Sequence, residues 1–508
     1  MTSHLHRCRG GWLAALLVAL VFSSLAAPAR AQEKSGDPIF DSAVFLLRSA
    51  VTPDRRGTFS ILMRSLRHLR DPELQPFFKE MVQSDNRVLK IHGILGLAEL
   101  ENPKKVDLSL LAEIKDPATQ SELLGAALDS EVLDPAAAKQ VLAWQGLDLD
   151  AKVVVAAHLL EKKQFNDVKM LKLAADTDKW PRKAMAGLLL VQLGDVEGAK
   201  ILDNLNKTTD PAKDSIRALV LQTAFRFKYE RVAPWAAVIA VEPGVGEKLG
   251  LLALRTAVRF GDKASLGVMK QQYVSATDAA DQMRLALSLL NLSPWLPVDA
   301  FTPMVASGDP LIKQIGLAGQ AVAEKRGVVD QLSKLIAMNH PIASAWARGY
   351  ALFHAEPAEA VMIYKAIIKA YDGPDRNRAQ RLDEANGATQ ELFEKDAAAA
   401  TPFLSNILAD EKTPAPLLQA ILVGLIRVNG GNPVAALPAR KDMGDNNASA
   451  LRLLLLAKNG QSLDEQQLKD FGILVRGGGA LPEALRIQAA WAYLKLTKQT
   501  KPALAKLK

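Results

Sequence analysis

The side chains of this 508-residue sequence with the most regular potential for chemistry are basic. An arginine guanidinium is planar and can hold a carboxylate through two parallel hydrogen bonds. A row of such groups would suit a carboxylate-rich or extended peptide ligand, whereas the alternative is a solvated outer face. The residues that we predict to bind a partner are Arg217, Arg226, Arg255, Arg259, Arg284, Lys313 and Arg348.

Other chemistry has little support in the sequence. The single cysteine, Cys8, lies near the N-terminus, so a thiolate metal site or a cysteine nucleophile is not expected. No motif for a nucleotide, a zinc ion or a serine nucleophile occurs, and we predict no catalytic residues, no cofactor and no metal. Beyond residue 31 the histidines show no metal-ligand spacing: His68, His92, His158, His340 and His354.

An enzyme acting on polysaccharides is the main alternative. Such an enzyme needs two carboxylates in an open groove, usually lined with aromatic side chains. Aromatic residues make up 6% of the chain, and the tryptophans are spread singly. Trp180, Trp235 and Trp295 each adjoin a proline, so we expect them to pack at junctions between helices.

One helical pattern, which must position these residues, occurs three times between Arg182 and Val274. Each copy has an apolar helical run, a short break and a second run. The breaks fall at Gly194, Lys228 and Gly261, which are 34 and then 33 residues apart. This is the period of stacked helical hairpins. The predicted pairs are 183–193 with 196–206, 214–227 with 230–240, and 247–260 with 263–274.

The same rhythm extends in both directions from these copies, and sustained alternation typical of strands is absent. Further hairpin turns are predicted near Arg70, Glu101, Ser130, Lys163, Ser293, Arg326, Ala355, Gly387, Gly430, Gly460 and Lys498. We therefore predict an all-α fold, a right-handed α-α superhelix (solenoid) of antiparallel hairpins of about 33 residues.

Two local signals support the helix boundaries. An Asp-Pro pair is a helix start, because aspartate caps free N–H groups and proline fits the first turn. Small residues occur seven positions before several turns, where close approach of the partner helix would explain them. The Asp-Pro pairs begin at residues 37, 71, 116, 134, 210 and 309, and the small residues are Ala156, Gly187, Ala286 and Gly319.

Parts of the chain resemble known helical repeats. Ser84 to Leu100 and Asp309 to Lys325 are similar to the second helix of a HEAT-type repeat. Ala345 to Pro374 resembles a tetratricopeptide repeat, with Gly349, Ala360, Tyr364 and Pro374 near its small, small, aromatic and proline positions. The resemblance implies a degenerate α-solenoid that binds proteins or peptides on an extended concave surface.

The domain plan follows from composition. Residues 1–31 have a basic start, an apolar run of eleven residues and a small-residue Ala29-Arg30-Ala31 end, which predicts a signal peptide cut before Gln32. We predict that residues 32–37 are a disordered lead-in and that residues 38–371 form a regular solenoid. Residues 372–508 should continue this solenoid with looser repeats and longer loops. Within the last part, 371–381 is the predicted hinge.

The net charge is +8, and basic stretches lie near both ends, at 48–70 and 484–508. We expect them to be solvated ends of the array, or else a contact to an anionic envelope surface. Nucleic acid is not an expected partner.

The sequence thus predicts an exported scaffold, in the periplasm, the cell envelope or outside the cell. It should have no membrane span after signal removal and should bind a protein or peptide partner. The alternatives are a polysaccharide lyase or glycosidase and an envelope protein docked through a basic terminus.

Overall fold

A computed structural model describes residues 37–52, 59–101, 103–372, 378–428, 443–477 and 483–507. Throughout these ranges the regular structure is helical, with no strand, which confirms the all-α fold class. The predicted signal peptide, residues 32–36 and the predicted loops around 429–442 and 478–482 lie outside these ranges. None of the described helices has both the length and the apolar character needed to cross a bilayer.

The α-helices are numbered in chain order, and short 3-10 turns connect some of them. They are α1 (Pro38–Val51), α2 (Phe59–Arg67), α3 (Gln75–Val82), α4 (Arg87–Leu100), α5 (Leu108–Glu113), α6 (Pro117–Asp129), α7 (Pro135–Leu142), α8 (Leu149–Glu161), α9 (Val168–Ala175), α10 (Trp180–Leu193), α11 (Val196–Lys207), α12 (Lys213–Phe227), α13 (Ala233–Ala240), α14 (Glu247–Arg259), α15 (Lys263–Ser275), α16 (Ala279–Leu292), α17 (Thr302–Val305), α18 (Pro310–Glu324), α19 (Val328–Ala337), α20 (Pro341–Phe353), α21 (Pro357–Lys369), α22 (Arg378–Lys395), α23 (Ala397–Ala409), α24 (Ala415–Arg427), α25 (Asn446–Lys458), α26 (Glu465–Arg476), α27 (Glu483–Leu496) and α28 (Thr500–Leu507).

The helices of the three predicted hairpins are present with almost the predicted bounds: α10 and α11, α12 and α13, and α14 and α15. Helix α10 packs on α11 and α14 on α15 as predicted, whereas α13 packs against the following helix, α14. In the second hairpin a 3-10 turn, Glu230–Val232, precedes α13, because Pro234 sits in the first turn of that helix. The apolar periodicity therefore located these helices to within about three residues, the usual uncertainty at frayed ends.

Turns between helices close with left-handed backbone, as expected where a helix ends and the chain reverses. Lys228 (φ 59°) and Gly261 (φ 91°) lie at two predicted turns, and Arg70, Lys163, Gly194, Gly460 and Lys498 also have positive φ.

The predicted turn at Gly387 is wrong, because this glycine lies inside α22. A Cβ atom there would collide with the Arg348 guanidinium, so Gly387 serves close approach and not chain reversal. Residues 373–377 of the predicted hinge at 371–381 lie outside the described ranges, and α22 begins at Arg378.

Most of the Asp-Pro pairs start helices as predicted. Asp37 accepts hydrogen bonds from the N–H groups of Ile39 and Phe40, and Asp309 accepts from those of Leu311 and Ile312. Asp210 is the exception. Its carboxylate accepts from the Ala212 N–H at 2.7 Å, and α12 begins only at Lys213.

Contacts among the described residues divide the chain into two compact units. Unit 2 spans Leu97–Ala347, and unit 1 joins the residues up to Gly96 with those from Arg348 onward. In unit 2 the first helices of successive hairpins pack in series, α10 on α12, α12 on α14, α14 on α16 and α16 on α18. This succession fits stacked hairpins; the right-handed superhelix and the change of regularity at residue 371 stay predictions.

Unit 1 brings the first and last described helices together. Helix α1 packs against α26, α27 and α28. The Asp71 carboxylate accepts hydrogen bonds from Trp491 Nε1 at 2.9 Å and Lys495 Nζ at 2.6 Å. Tyr493 Oη donates to Asp37 at 2.9 Å. The two basic end stretches are therefore not separate ends, because their helices pack on each other. Arg64, Arg70 and Lys501 are nevertheless exposed.

Close helix approach at small residues is confirmed in unit 2. A Cβ atom on Gly187 would lie 2.8 Å from Cγ2 of Ile201 on the partner helix α11. From the other side, a Cβ atom on Gly198 would lie 2.6 Å from the Gly187 carbonyl oxygen. Because backbone atoms cannot rotate away, these two glycines set the distance between α10 and α11.

We predict that Gly198→Ala destabilises the protein by about 1–3 kcal/mol, the usual effect of an atom added to a filled contact. The matched control is Gly267→Ala, since Gly267 lies inside α15 with no atom within 4 Å of an added Cβ. That control should be neutral or gain up to about 1 kcal/mol from its better helix propensity. Denaturant melts of both variants would measure the difference, and equal effects would show that the glycine contact does not set the helix spacing.

Candidate functional site

The predicted basic row does not have a single environment. Arg217, Arg226, Arg255, Arg259, Arg284 and Lys313 lie in unit 2, whereas Arg348 belongs to unit 1. Lys313, on α18, is exposed. The arginines differ in whether an acidic side chain neutralises them, and this difference separates structural arginines from candidate binding arginines.

Arg217 is an interior residue with 0% exposure. Its guanidinium donates to Glu242 at 2.7 Å, to the Asn206 side chain at 3.0 Å and to Asp214 at 3.3 Å. A charge removed from water is tolerated only when it is paired and hydrogen-bonded in this way. Arg217 therefore joins α12 to the ends of α11 and α13, and it offers no surface to a partner.

Arg226 and Arg284 are half-buried and are also paired. Arg226 contacts the Asp129 carboxylate, which is also 3.2 Å from Nε2 of His158. Arg284 lies 2.6 Å from Glu247 and 3.0 Å from Asp281. Both charges are already neutralised within unit 2, so each could bind a partner only in exchange for its present acid.

Arg255 and Arg259 form a different kind of site on α14. The Arg259 guanidinium carbon lies 4.0 Å from the Phe225 ring centroid and 4.6 Å from that of Trp295, and its Nη1 donates to the Phe225 carbonyl at 2.7 Å. The guanidinium carbon of Arg255 lies 6.0 Å from the same Phe225 ring. With Phe260, 5.6 Å from Arg259, we call these five residues the arginine–aromatic cluster.

Trp295 distinguishes this cluster from a packed junction. Trp235 is buried as predicted, and its Nε1 donates to the Leu202 carbonyl at 3.0 Å. Trp295 is 41% exposed, so the expectation of core packing is wrong for it. Pro294 places it in a 3-10 turn after α16, where its ring covers Arg259 and not the interior.

The charged cluster of unit 1 surrounds Arg348. Its Nε lies 3.3 Å from a Glu384 oxygen and 3.7 Å from a Glu391 oxygen, and its Nη1 donates to the Asp383 carbonyl at 3.2 Å. The two glutamates lie seven residues apart on α22, so they share one helix face. Sequence reasoning missed this pair because a seven-residue spacing of acids is common on solvated helices.

Burial raises the pKa of Glu391 to about 7, against a smaller lowering by Arg348 and a further raising by Glu384. Burial likewise raises the pKa of Glu384. A polysaccharide-cleaving enzyme would need two carboxyl groups, one with a raised pKa that donates a proton and one that stays ionised. Here, however, both carboxylates contact the same guanidinium and their side chains are only 12% and 10% exposed. The arrangement is that of a largely buried ion-pair network that joins α20 to α22.

The histidines are not members of the arginine–aromatic cluster. Burial and the nearby Arg67 and Arg64 lower the pKa of His92 to about 3, so this side chain is neutral. Burial also lowers the pKa of His340. Among the residues described, no group of three or more histidine, cysteine or acidic side chains is placed to hold a metal ion.

No protein-family model matches the sequence, and the search of curated proteins returned no match. The similarity to HEAT-type and tetratricopeptide repeats therefore stays a prediction from local sequence patterns. The function must be argued from the site itself.

We predict that Arg217→Met lowers the free energy of unfolding by about 3 kcal/mol, because it removes the closest ion-pair partner of partly buried Glu242 and leaves Asn206 without its bond to the guanidinium. Arg226→Met is the matched control, since the same substitution there breaks a more exposed ion pair and should cost less than about 1 kcal/mol. Denaturant melts provide the measurement. Equal losses would contradict the interior role of Arg217.

A second prediction concerns pH. The folded-state pKa of Glu391, about 7, lies above the ordinary value of 4.5, so the folded form holds its proton more tightly than the unfolded form. The stability that this group contributes is therefore fully present below about pH 4.5 and is lost as the pH rises through 7. Glu391→Gln should flatten this slope and stabilise the protein at pH 8 by roughly 1–3 kcal/mol.

Melting temperatures between pH 4.5 and 8 would test this, with Glu411→Gln as the control because Glu411 is an exposed glutamate of the same unit. An unchanged slope in the Glu391 variant, or the same change in both variants, would show that Glu391 does not titrate in this range.

Proposed function

We propose that this chain is an exported helical-repeat scaffold that binds a protein or peptide partner on unit 2. The observation that carries the proposal is the stacking of half-exposed Trp295 on Arg259 within the arginine–aromatic cluster. Tryptophan and arginine are the residues that most often dominate binding energy at protein interfaces. Stacked hairpins commonly present such residues on an extended surface.

The Arg259 side chain of the cluster is also pre-organised for binding. Three rings pack around the Arg259 guanidinium, and the Phe225 carbonyl accepts one of its hydrogen bonds. A side chain that is already ordered loses little conformational freedom when it binds, so more of the contact energy remains as affinity. Exposed Lys313 of the same unit could extend the contact, and half-buried Arg226 and Arg284 could do so only in exchange for their present acids.

The proposed location rests on the sequence of residues 1–31, with its basic start, apolar run and Ala29-Arg30-Ala31 end. Export would place the scaffold in the periplasm, the cell envelope or the extracellular space. N-terminal sequencing of the protein recovered from cells should then begin at Gln32. Recovery of the chain with residues 1–31 still attached would refute the cleaved signal.

Selection from a displayed library of random linear peptides would test the binding function. Purified mature protein should enrich a common motif, and the synthetic peptide should bind in solution with micromolar or tighter affinity. Trp295→Ala should weaken this binding by about 2 kcal/mol or more if the cluster is a hot spot. Val274→Ala is the control, since Val274 is another exposed apolar residue of unit 2.

Failure to enrich any motif would overturn the proposal of peptide binding. Enriched peptides that bind the Trp295 variant and the parent protein equally well would move the binding site away from the cluster. Circular dichroism melts of both variants should show that neither substitution unfolds the protein.

A further inference from the structure

Arg255 differs from the other arginines predicted to bind a partner. No described acidic residue lies within ion-pair distance of it, and its buried Nε has no hydrogen-bond partner among the residues described. Burial lowers the pKa of its guanidinium. By contrast, Arg217, Arg226, Arg284 and Arg348 each contact at least one carboxylate.

An unpaired, desolvated guanidinium destabilises a folded protein, because the hydration it has lost is not replaced. An incoming anion needs less further desolvation at this guanidinium, because its Nε is already buried. Arg452 in unit 1 also has a buried Nε without a partner, but no described aromatic ring stacks on it. Within the part of the chain that the structure describes, only Arg255 combines a guanidinium without an acidic partner with a second arginine one helical turn away and with a neighbouring exposed aromatic ring.

We propose that Arg255 and Arg259, with Trp295 beside them, form a binding site for a carboxylate group carried by an extended peptide segment. Two guanidinium groups on one helix can share a carboxylate through charge-assisted hydrogen bonds. Trp295 supplies the apolar contact for a neighbouring peptide side chain. The inference rests on the proposed function and adds to it the chemistry of the ligand.

The choice of a peptide over an anionic polysaccharide follows from the surroundings of the two arginines. A bare charged strip would suit a polyanion equally well, whereas this site has one unpaired guanidinium set among rings. Such a site favours a single carboxylate next to an apolar group. The carboxylate could belong to an acidic side chain or to a chain terminus, and both would make the same contact.

Fluorescence anisotropy with labelled decapeptides would test the site. The probes are an alternating Glu–Leu peptide with blocked ends, the matched Gln–Leu peptide, and a Gln–Leu peptide with a free C-terminal carboxylate. We expect the Glu–Leu peptide, the free-terminus peptide or both to bind at least about tenfold more tightly than the blocked Gln–Leu peptide, as expected for hydrogen bonds to a charged group. Whichever carboxylate probe binds more tightly identifies the source of the carboxylate.

Arg255→Met should abolish this preference, and Arg255→Lys should retain part of it. Arg326→Met is the control for net charge, because Arg326 is an exposed arginine of the same unit. The Arg255→Met protein should also melt at a higher temperature than the parent without ligand, since it no longer buries an unpaired charge. This result separates loss of a binding group from loss of the fold.

Equal binding of the Glu–Leu and Gln–Leu peptides, no binding of any probe at 1 mM peptide, or an unchanged preference in Arg255→Met would overturn the carboxylate site. Tighter binding of oligogalacturonate than of both carboxylate peptides would overturn it in favour of an anionic polysaccharide. If displayed peptides are enriched but carry no carboxylate requirement, the scaffold function stands and only this inference fails.

Discussion

The structure depends on which groups hydrogen-bond to, or stack on, each arginine guanidinium that is buried on folding. Helices that pack on two sides have long side chains at their margins, and an arginine placed there is desolvated by its neighbours. Arg217 is compensated by acids and an amide, and Arg259 by ring faces and a carbonyl. Arg255 has only a distant ring. The first solution fixes helices to each other, and the last leaves a guanidinium with no acidic partner among the described residues.

In the charged cluster of unit 1 the buried charges also need compensation, but there the negative charges outnumber the positive one. Two glutamates share Arg348, and burial outweighs the attraction of that single cation. The result is a helix contact whose strength depends on pH, not a solvated catalytic pair. Carboxylates with raised pKa therefore have a structural explanation here, and the arginine–aromatic cluster of unit 2 is the better candidate for function.

The sequence was sufficient to predict the hairpins because apolar periodicity and Asp-Pro caps are local signals. Helices α10 to α15 and the turns at Lys228 and Gly261 follow from them directly. Residue type alone could not show which arginines are neutralised, since the acid that pairs with Arg226 lies 97 residues away along the chain. Gly387 was misread for a related reason, because its close neighbour is a side chain from another helix. The exposure of Trp295 depends on the path of a 3-10 turn that a neighbouring proline does not specify.

The pairing of the first described helices with the last ones has a consequence for the order of folding. Asp71 and Trp491 are 420 residues apart in the chain, so their contact has a very high sequence separation. During synthesis α1 must wait for α26 to α28 before its apolar face is covered, whereas the hairpins of unit 2 can form as they emerge. Unit 1 should therefore be the last part to assemble, and an unfinished chain would have an uncovered N-terminal helix that a chaperone could hold.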